Sequence, residues 1–182
     1  MPVIAATSPT DCFDAAYMAC KIALEHMTPV VLMTDAFVAN GSAAWKLPDL
    51  AEYPAINPPY VTPEMKGSWT PYQRNEVGSR FWAIPGTEGF THILGGLEKD
   101  AVTSAISTDP ANHQKMVDIR KNKIDYIANC VEPLKVEGDA SADTLVIGWG
   151  GTYGHLVSAV EEMNAMGKKT ALAHFRYINP LP

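Results

Sequence analysis

Apolar positions along the chain form two β-α-β patterns, separated by a long stretch without helical or strand periodicity. In the first pattern, an apolar run at 3–7 precedes apolar residues at helical spacing within 8–27, and a second apolar run occupies 28–35. Two short buried strands joined by a crossover of about 20 residues favour a right-handed parallel unit. Residues 1–45 are therefore predicted to form an α/β unit.

The predicted helix of this unit has recognisable start signals. Ser8 is the predicted N-cap, Pro9 suits the first turn, and Asp11 and Asp14 lie at the positive end of the helix dipole. One apolar stripe recurs at helical spacing and comprises Phe13, Tyr17, Cys20, Leu24 and Met27.

The second pattern occupies the last part of the chain. Residues 109–131 are predicted to form a helix, which a polar link at 133–143 joins to a strand at 143–149. A glycine turn, a helix over 152–166 and a strand at 170–175 follow, and no third strand is predicted after them. Each pattern thus has fewer strands than a complete doubly wound domain, so we expect the chain to be cut at both ends.

The helix over 109–131 begins with Asp109 as N-cap and Pro110 as first helical residue. Its predicted apolar face comprises Met116, Ile119, Ile127 and Val131. Its basic residues are predicted to lie mostly away from that face; they are Lys115, Arg120, Lys121 and Lys123.

The segment 46–110, called the arm below, is predicted to be an irregular connection between the two units. Six prolines between Lys46 and Pro71 exclude long helices and central strands. Disordered linkers are poor in aromatic residues, whereas the arm is rich in them, so it is predicted to pack on other parts of the protein. These residues are Tyr53, Tyr60, Trp69, Tyr72, Phe81 and Trp82.

Composition limits the classes of partner and compartment. The net charge of −6 argues against nucleic acid, and no apolar run reaches the length of a membrane span or resembles a signal peptide. Cys12, Cys20 and Cys130 form no C-x-x-C pair, so no disulfide framework, zinc site or iron–sulfur site is indicated. The cytoplasm is the expected location.

The glycine turn at 148–154 resembles a nucleotide-binding loop but departs from its fingerprint. Gly148, Gly150, Gly151 and Gly154 are present, whereas Tyr153 occupies the third glycine slot of G-x-G-x-x-G. No acidic residue follows the next strand to bind a ribose. We therefore favour a structural corner, in which Gly150 or Gly151 has a positive φ or lacks room for a Cβ. The alternative is a module that binds a nucleotide or phosphate at this turn.

Candidate polar sites lie in the arm and at a strand end. Arg74 and Arg80, with Glu76 between them, could contact an anion or a partner, and their alternative is a solvated loop. His92 near Glu98 could act as a general base, but a hydrogen-bonded or solvated histidine is the commoner case.

Asp35 and Asn40 follow the strand at 28–35, at the edge where open α/β sheets bind ligands. His26, His155 and His174 share no metal-ligand spacing with one another or with a carboxylate, so no metal site is predicted. The residues alone predict two α/β halves, an arm and no complete active site.

Three stretches together, residues 3–41, 82–125 and 145–182, resemble the alpha subunit of 2-oxoacid:ferredoxin oxidoreductases of the 2-oxoglutarate type (2-oxoglutarate synthase). The order and spacing of these stretches agree over essentially the whole chain. The family's Y-P-I-T-P motif and activating glutamate belong upstream of the matching region and are not in this sequence. The resemblance therefore implies no catalytic residue in this chain.

The resemblance also implies a domain organisation. Residues 1–45 would be the remainder of the pyrimidine-type domain, 46–110 the extended arm, and 111–182 a truncated transketolase C-terminal-like domain. The corresponding corner of that domain generally holds no nucleotide, which favours the structural role of the glycine turn.

The implied activity belongs to anaerobic metabolism: oxidative decarboxylation of 2-oxoglutarate with coenzyme A to succinyl-CoA, with electrons passing to ferredoxin. The implied cofactors are thiamine diphosphate, magnesium and an iron–sulfur cluster, held mainly by other segments or subunits and not by this chain alone. The implied partners are a beta subunit and a second alpha subunit. An interface role for the aromatic arm is compatible with this assembly, and the isolated chain is expected to be inactive.

Overall fold

The computed structural model describes all 182 residues, and they divide into two compact units. The first unit comprises Met1–Cys20, Pro29–Pro54 and Ala128–Pro182, and the second comprises Lys21–Thr28 and Ala55–Ile127. This division into compact units does not test the domain limits predicted after residues 45 and 110, which remain a prediction.

The first sheet lies in the first unit and has the strand order β2 (Val31–Met33), β1 (Val3–Ala5) and β6 (Tyr177–Asn179). Strands β1 and β2 run parallel, as the first β-α-β pattern predicts. Strand β6 pairs antiparallel with β1, so the prediction that no strand follows 170–175 is wrong. Only Arg176 separates β6 from β5, and Pro180 follows β6 directly, so the sequence shows no separate apolar run for this strand.

The second sheet, also in the first unit, has the order β3 (Val136–Gly138), β5 (Thr170–Phe175) and β4 (Thr144–Trp149). The parallel pairing of β4 with β5 confirms the second β-α-β pattern. Strand β3 runs antiparallel to β5, so the polar link predicted at 133–143 contains a strand. All three residues of β3 are exposed; backbone pairing rather than side-chain burial defines this strand, and the hydrophobic pattern does not reveal it.

The predicted cap residues begin two of the helices. The Asp11 N–H donates to Ser8 Oγ at 3.1 Å, and the Asp109 carboxylate accepts from Ala111 N and Asn112 N at 3.1 and 3.3 Å. A short helix directly after β2 was not predicted. The four helices are α1 (Asp11–His26), α2 (Ala36–Asn40), α3 (Pro110–Ile127) and α4 (Tyr153–Ala165), and none has the length and apolar character that a bilayer crossing requires.

The buried positions of α1 are not those of the predicted apolar stripe. Ala15, Ile22 and His26 are buried, whereas Cys20 and Leu24 of the predicted stripe are exposed. Helix α1 carries apolar residues on more than one side, so spacing alone does not identify which side faces the core.

Aromatic side chains cover part of the predicted stripe. The Phe13 ring lies 5.7 Å from the Trp45 ring and 5.8 Å from the Tyr53 ring, and the Tyr17 and Tyr53 rings are 4.7 Å apart. The arm itself is irregular as predicted, since its helical content is limited to two short 3-10 turns, at Leu50–Glu52 and Pro63–Met65.

Candidate functional site

The glycine turn connects β4 to α4 in the first compact unit. Gly150 has a φ of 66°, a conformation that favours glycine. A Cβ on Gly151 would lie 2.3 Å from Oδ2 of Asp35, closer than atoms in proteins approach. The expectation of a positive φ or of a missing space for Cβ is therefore confirmed at both residues.

Asp35 connects the end of β2 to the glycine turn. Its Oδ2 accepts a hydrogen bond from Gly151 N at 3.0 Å, and its Oδ1 accepts one from Val38 N at 2.7 Å and so caps α2. The structure thus brings together two predicted candidates that are 116 positions apart in sequence. Asn40 does not join them, because its side-chain amide donates to Ala36 O within α2.

The N–H group of Gly151 is therefore already hydrogen-bonded to a carboxylate of the protein itself, that of Asp35. A phosphate or nucleotide at Gly151 N would have to displace the Asp35 carboxylate. A Cβ on Gly148 would lie 2.2 Å from Leu156 Cδ1, so glycine at this position leaves room for the Leu156 side chain of α4. A Cβ on Gly154 would meet no atom within 4 Å, so this glycine is under no steric constraint.

A second polar cluster, which sequence analysis missed, surrounds a cavity of about 380 Å³ beside the end of β5. The Tyr153 hydroxyl donates to the Glu137 carboxylate at 3.0 Å, and burial followed by this hydrogen bond raises the pKa of Tyr153. The His174 ring stacks edge-on at 5.0 Å from Tyr153, and burial lowers the pKa of His174. The polar groups of the cluster come from separate elements, and no motif connects them in sequence.

Arg176, beside the same cavity, forms an ion pair with Asp11 at the start of α1. Asp11 Oδ2 also accepts from Thr7 N at 2.8 Å. Arg176 and Glu137, two of the charged groups that line this cavity, thus have partners within the protein, which favours a structural role for these two residues.

In the second compact unit, His92 and Glu98 have different partners. His92 Nδ1 lies 2.7 Å from Phe90 O, and its ring lies 4.9 Å from the Trp69 ring. Glu98 accepts from Arg120 at 2.6 Å and from His113 at 2.9 Å, and these two hydrogen bonds lower the pKa of Glu98. This arrangement supplies no acid–base pair of His92 and Glu98.

Arg74 and Arg80 pair through an isolated antiparallel β-bridge, and both contact Tyr72. Arg74 Nη1 donates to Tyr72 O at 2.9 Å, and the Arg80 guanidinium lies 4.7 Å from the centre of the Tyr72 ring. Glu76 forms no ion pair with either arginine. The predicted charge cluster is therefore a pair of cations without a carboxylate.

Lys123 joins this basic group and was missed, because its helical position predicted an outward direction. Its Nζ donates to His26 O at 2.9 Å and to Met27 O at 3.2 Å, the carbonyls at the end of α1. Burial, followed by the charges of Arg80, Arg74 and Arg120, lowers the pKa of Lys123 to about 8. No local sequence signal marks a lysine whose partners are almost 100 positions away.

Comparison with protein families places residues 1–105 in the family described as "Pyruvate flavodoxin/ferredoxin oxidoreductase, thiamine diP-bdg". Among curated proteins, the chain is 42% identical over 182 residues to the 2-oxoglutarate oxidoreductase subunit KorA of Mycobacterium tuberculosis, covering 99% of this chain and 27% of that protein. It is 28% identical over 178 residues to subunit alpha of 2-oxoacid:ferredoxin oxidoreductase 1 of Aeropyrum pernix, covering 94% of this chain and 27% of that protein.

Among solved structures, the chain is similar to the 2-oxoglutarate:ferredoxin oxidoreductase of Magnetococcus marinus with 2-oxoglutarate, coenzyme A and succinyl-CoA bound. The TM-score is 0.86 at 26% identity, and the match covers 100% of this chain and 31% of the solved chain. The chain thus spans 27% of the length of the curated relatives it matches.

Proposed function

We propose that this chain, which belongs to the pyruvate flavodoxin/ferredoxin oxidoreductase family, forms part of the alpha subunit of a 2-oxoacid:ferredoxin oxidoreductase. The observation that carries the proposal is the structural match over the whole chain at a TM-score of 0.86. The 42% identity to KorA over 99% of the chain supports it independently.

The proposed reaction is oxidative decarboxylation of 2-oxoglutarate. The substrate loses carbon dioxide, its acyl group passes to coenzyme A to give succinyl-CoA, and two electrons pass to ferredoxin. The choice of 2-oxoglutarate is supported by the two 2-oxoglutarate enzymes among the similar proteins.

Thiamine diphosphate, magnesium and an iron–sulfur cluster are proposed for the assembled enzyme, held mainly outside this chain. The family is named for binding thiamine diphosphate, which supports this cofactor for the assembled enzyme. No group of three or more His, Cys, Asp or Glu side chains is arranged around a common metal position. The Gly151 N–H, which could meet a phosphate, is bonded to Asp35.

A structural and interface role for the chain is proposed instead of a catalytic one. Strand β4 is an edge strand, and its alternate residues Leu145, Ile147 and Trp149 are 53%, 66% and 50% exposed. Rows of exposed apolar residues mark association surfaces. This supports association with a beta subunit of the same enzyme and a second alpha subunit. Cys12, Cys20 and Cys130 form no disulfide, in keeping with the proposed cytoplasmic location.

The proposal is tested by dye reduction. The complete alpha subunit, coexpressed with its beta subunit, is assayed for reduction of a viologen dye with coenzyme A and 2-oxoglutarate, and pyruvate serves as the matched substrate. We expect activity with 2-oxoglutarate in the complex and none with the isolated 182-residue chain. Activity of the isolated chain would contradict the non-catalytic role, and a complex inactive with both acids would contradict the proposed reaction.

A further inference from the structure

The second compact unit contains a cavity of about 1010 Å³, large enough for a small organic molecule. Its walls come from arm residues 68–78 and 101–103 and from one side of α3, between Lys115 and Tyr126. None of the functions proposed above uses this cavity.

Cations dominate the charged lining of the cavity. Arg74, Lys115 and Lys123 contribute to its walls, whereas Glu76 is the only acidic lining residue. None of these four takes part in any of the side-chain ion pairs of the chain. With three cations and one carboxylate, the charged lining is net positive, and no ion pair joins the cations to Glu76.

The hydrogen bonds of Arg74 and Lys123 leave donors available. Arg74 donates from Nη1 to Tyr72 O, and a guanidinium has five N–H donors. Lys123 donates to His26 O and Met27 O, which uses two of its three ammonium protons. Both side chains are half-buried, so their remaining donors have limited access to water.

Electrostatics within the unit favour an added anion. Burial, together with Arg80 and Arg120, lowers the pKa of Arg74, and burial with three neighbouring arginines lowers the pKa of Lys123 to about 8. Each cation is thus destabilised by desolvation and by its like-charged neighbours. A bound oxyanion would offset both effects and accept hydrogen bonds from the donors that Arg74 and Lys123 have left.

We propose that this cavity binds the phosphate or carboxylate group of a small molecule through Arg74 and Lys123, with Lys115 adding long-range attraction. A guanidinium can donate two parallel hydrogen bonds to such a group, and the lysine ammonium supplies a third. The cavity volume favours a small molecule over a single inserted side chain.

Calorimetric titration of the intact 182-residue chain tests the proposal, with inorganic pyrophosphate as the phosphate probe and citrate as the carboxylate probe. Ionic strength is held constant, because salt screens exposed charges. We expect saturable binding of one probe molecule per chain, and the tighter probe identifies the group that the cavity prefers.

Variants of the lining residues test whether the probe binds in this cavity. Arg74→Gln and Lys123→Met should each weaken the tighter probe at least about tenfold, since each removes a charge-assisted hydrogen bond. The control is Lys121→Met, on the same helix, which removes an exposed lysine paired with Asp125 and should change the affinity less than about twofold. Arg74→Lys, which keeps the charge but loses the planar fork, should give an intermediate affinity and serves if a neutral variant does not fold.

A pH series adds a readout that a merely structural lysine would not give. The series uses citrate, whose carboxyl groups remain ionised over this range. Its affinity should fall as pH rises from 7 to 9, because Lys123, with a pKa of about 8, loses its charge. The other groups facing Lys123 are Arg74, Arg80, Arg120 and His26, and the pKa of His26 lies below 6.5, outside the range. The dependence should vanish in Lys123→Met. No saturable binding of either probe, or equal losses in Lys121→Met and Lys123→Met, would overturn the proposal.

Discussion

The carboxylate of Asp35 accepts one hydrogen bond from Gly151 N at 3.0 Å and another from Val38 N at 2.7 Å. One side chain thus caps α2 and fixes the turn between β4 and α4. This contact joins the two β-α-β patterns of the first unit, and the predictions for the turn follow from it.

Replacing Asp35 with alanine should lower the free energy of unfolding by about 1–3 kcal/mol, because a helix cap and a second hydrogen bond are lost together. Asp49→Ala is the matched control. Asp49 is also exposed and accepts from Ala51 N at 2.9 Å, but its side chain has no second bond. Urea denaturation should give a smaller loss for Asp49→Ala, and equal losses would show that the Asp35–Gly151 bond adds nothing.

The glycines of the turn should differ in their response to alanine. Gly151→Ala should destabilise by about 1–2 kcal/mol, since the new Cβ displaces Asp35 from its hydrogen bonds. Gly154→Ala, within α4 and with open space, should be neutral or stabilising by up to about 1 kcal/mol.

A double-mutant cycle distinguishes displacement of the Asp35 carboxylate from other steric effects of a Cβ on Gly151. In the Asp35→Ala background the Gly151→Ala loss should shrink, because the carboxylate that it displaces is absent. An unchanged loss would mean that Gly151 is required for another reason.

Gly150→Val tests the nucleotide alternative. A β-branched residue at a φ of 66° is strained, so thermal melts should show a loss above about 1 kcal/mol. The loss should be the same with and without millimolar NAD or ATP, because Asp35 already occupies the Gly151 N–H. If a nucleotide raised the melting temperature of the wild type and not of the variant, the turn would be a binding loop.

The main elements of the fold were predictable because their signals are local. The caps at Ser8 and Asp109 lie within three residues of the N–H groups that they bond. Parallel pairing of β1 with β2 and of β4 with β5 follows from the length of each crossover. Strand β3 was missed because its three residues are all exposed and form no apolar run. Strand β6 was missed because only Arg176 separates it from β5, so the sequence shows no separate apolar run for it.

The site contacts were less predictable, since they join residues far apart in sequence. Asp35 and Gly151 were both candidates, but nothing in their local sequence indicates that they meet. Lys123 was assigned to the outer side of its helix, because helical spacing does not anticipate a lysine that donates to the distant carbonyls of His26 and Met27. Long-range polar contacts of this kind require the tertiary structure.

Trp82 offers a test of how the arm is held within the second unit. Its Nε1 donates to Leu24 O in the last turns of α1 at 2.7 Å, and its ring is half-buried. Trp82→Phe should lower the free energy of unfolding by about 1 kcal/mol, since it removes the donor but keeps an aromatic ring. Trp149→Phe, at an exposed ring, should change it by less than about 0.5 kcal/mol in the same urea series. Matching values for the two variants would exclude a contribution from the Trp82 hydrogen bond.

His26 should make the stability of the chain depend on pH. Its buried ring has Nδ1 3.3 Å from Ser79 Oγ, and burial, only partly opposed by Glu25, lowers its pKa below the ordinary 6.5. Below pH 6.5 the unfolded chain therefore binds a proton that the folded chain does not. The free energy of unfolding should fall as pH decreases from about 6.5 towards the folded-state pKa.

His26→Gln, which keeps a polar partner for Ser79, should reduce this slope between pH 7 and 5. Part of the slope should remain, because burial also lowers the pKa of His174. Urea denaturation at several pH values measures both proteins. A slope that is the same in His26→Gln and in the wild type would mean that His26 accepts its proton equally well in the folded and unfolded chain.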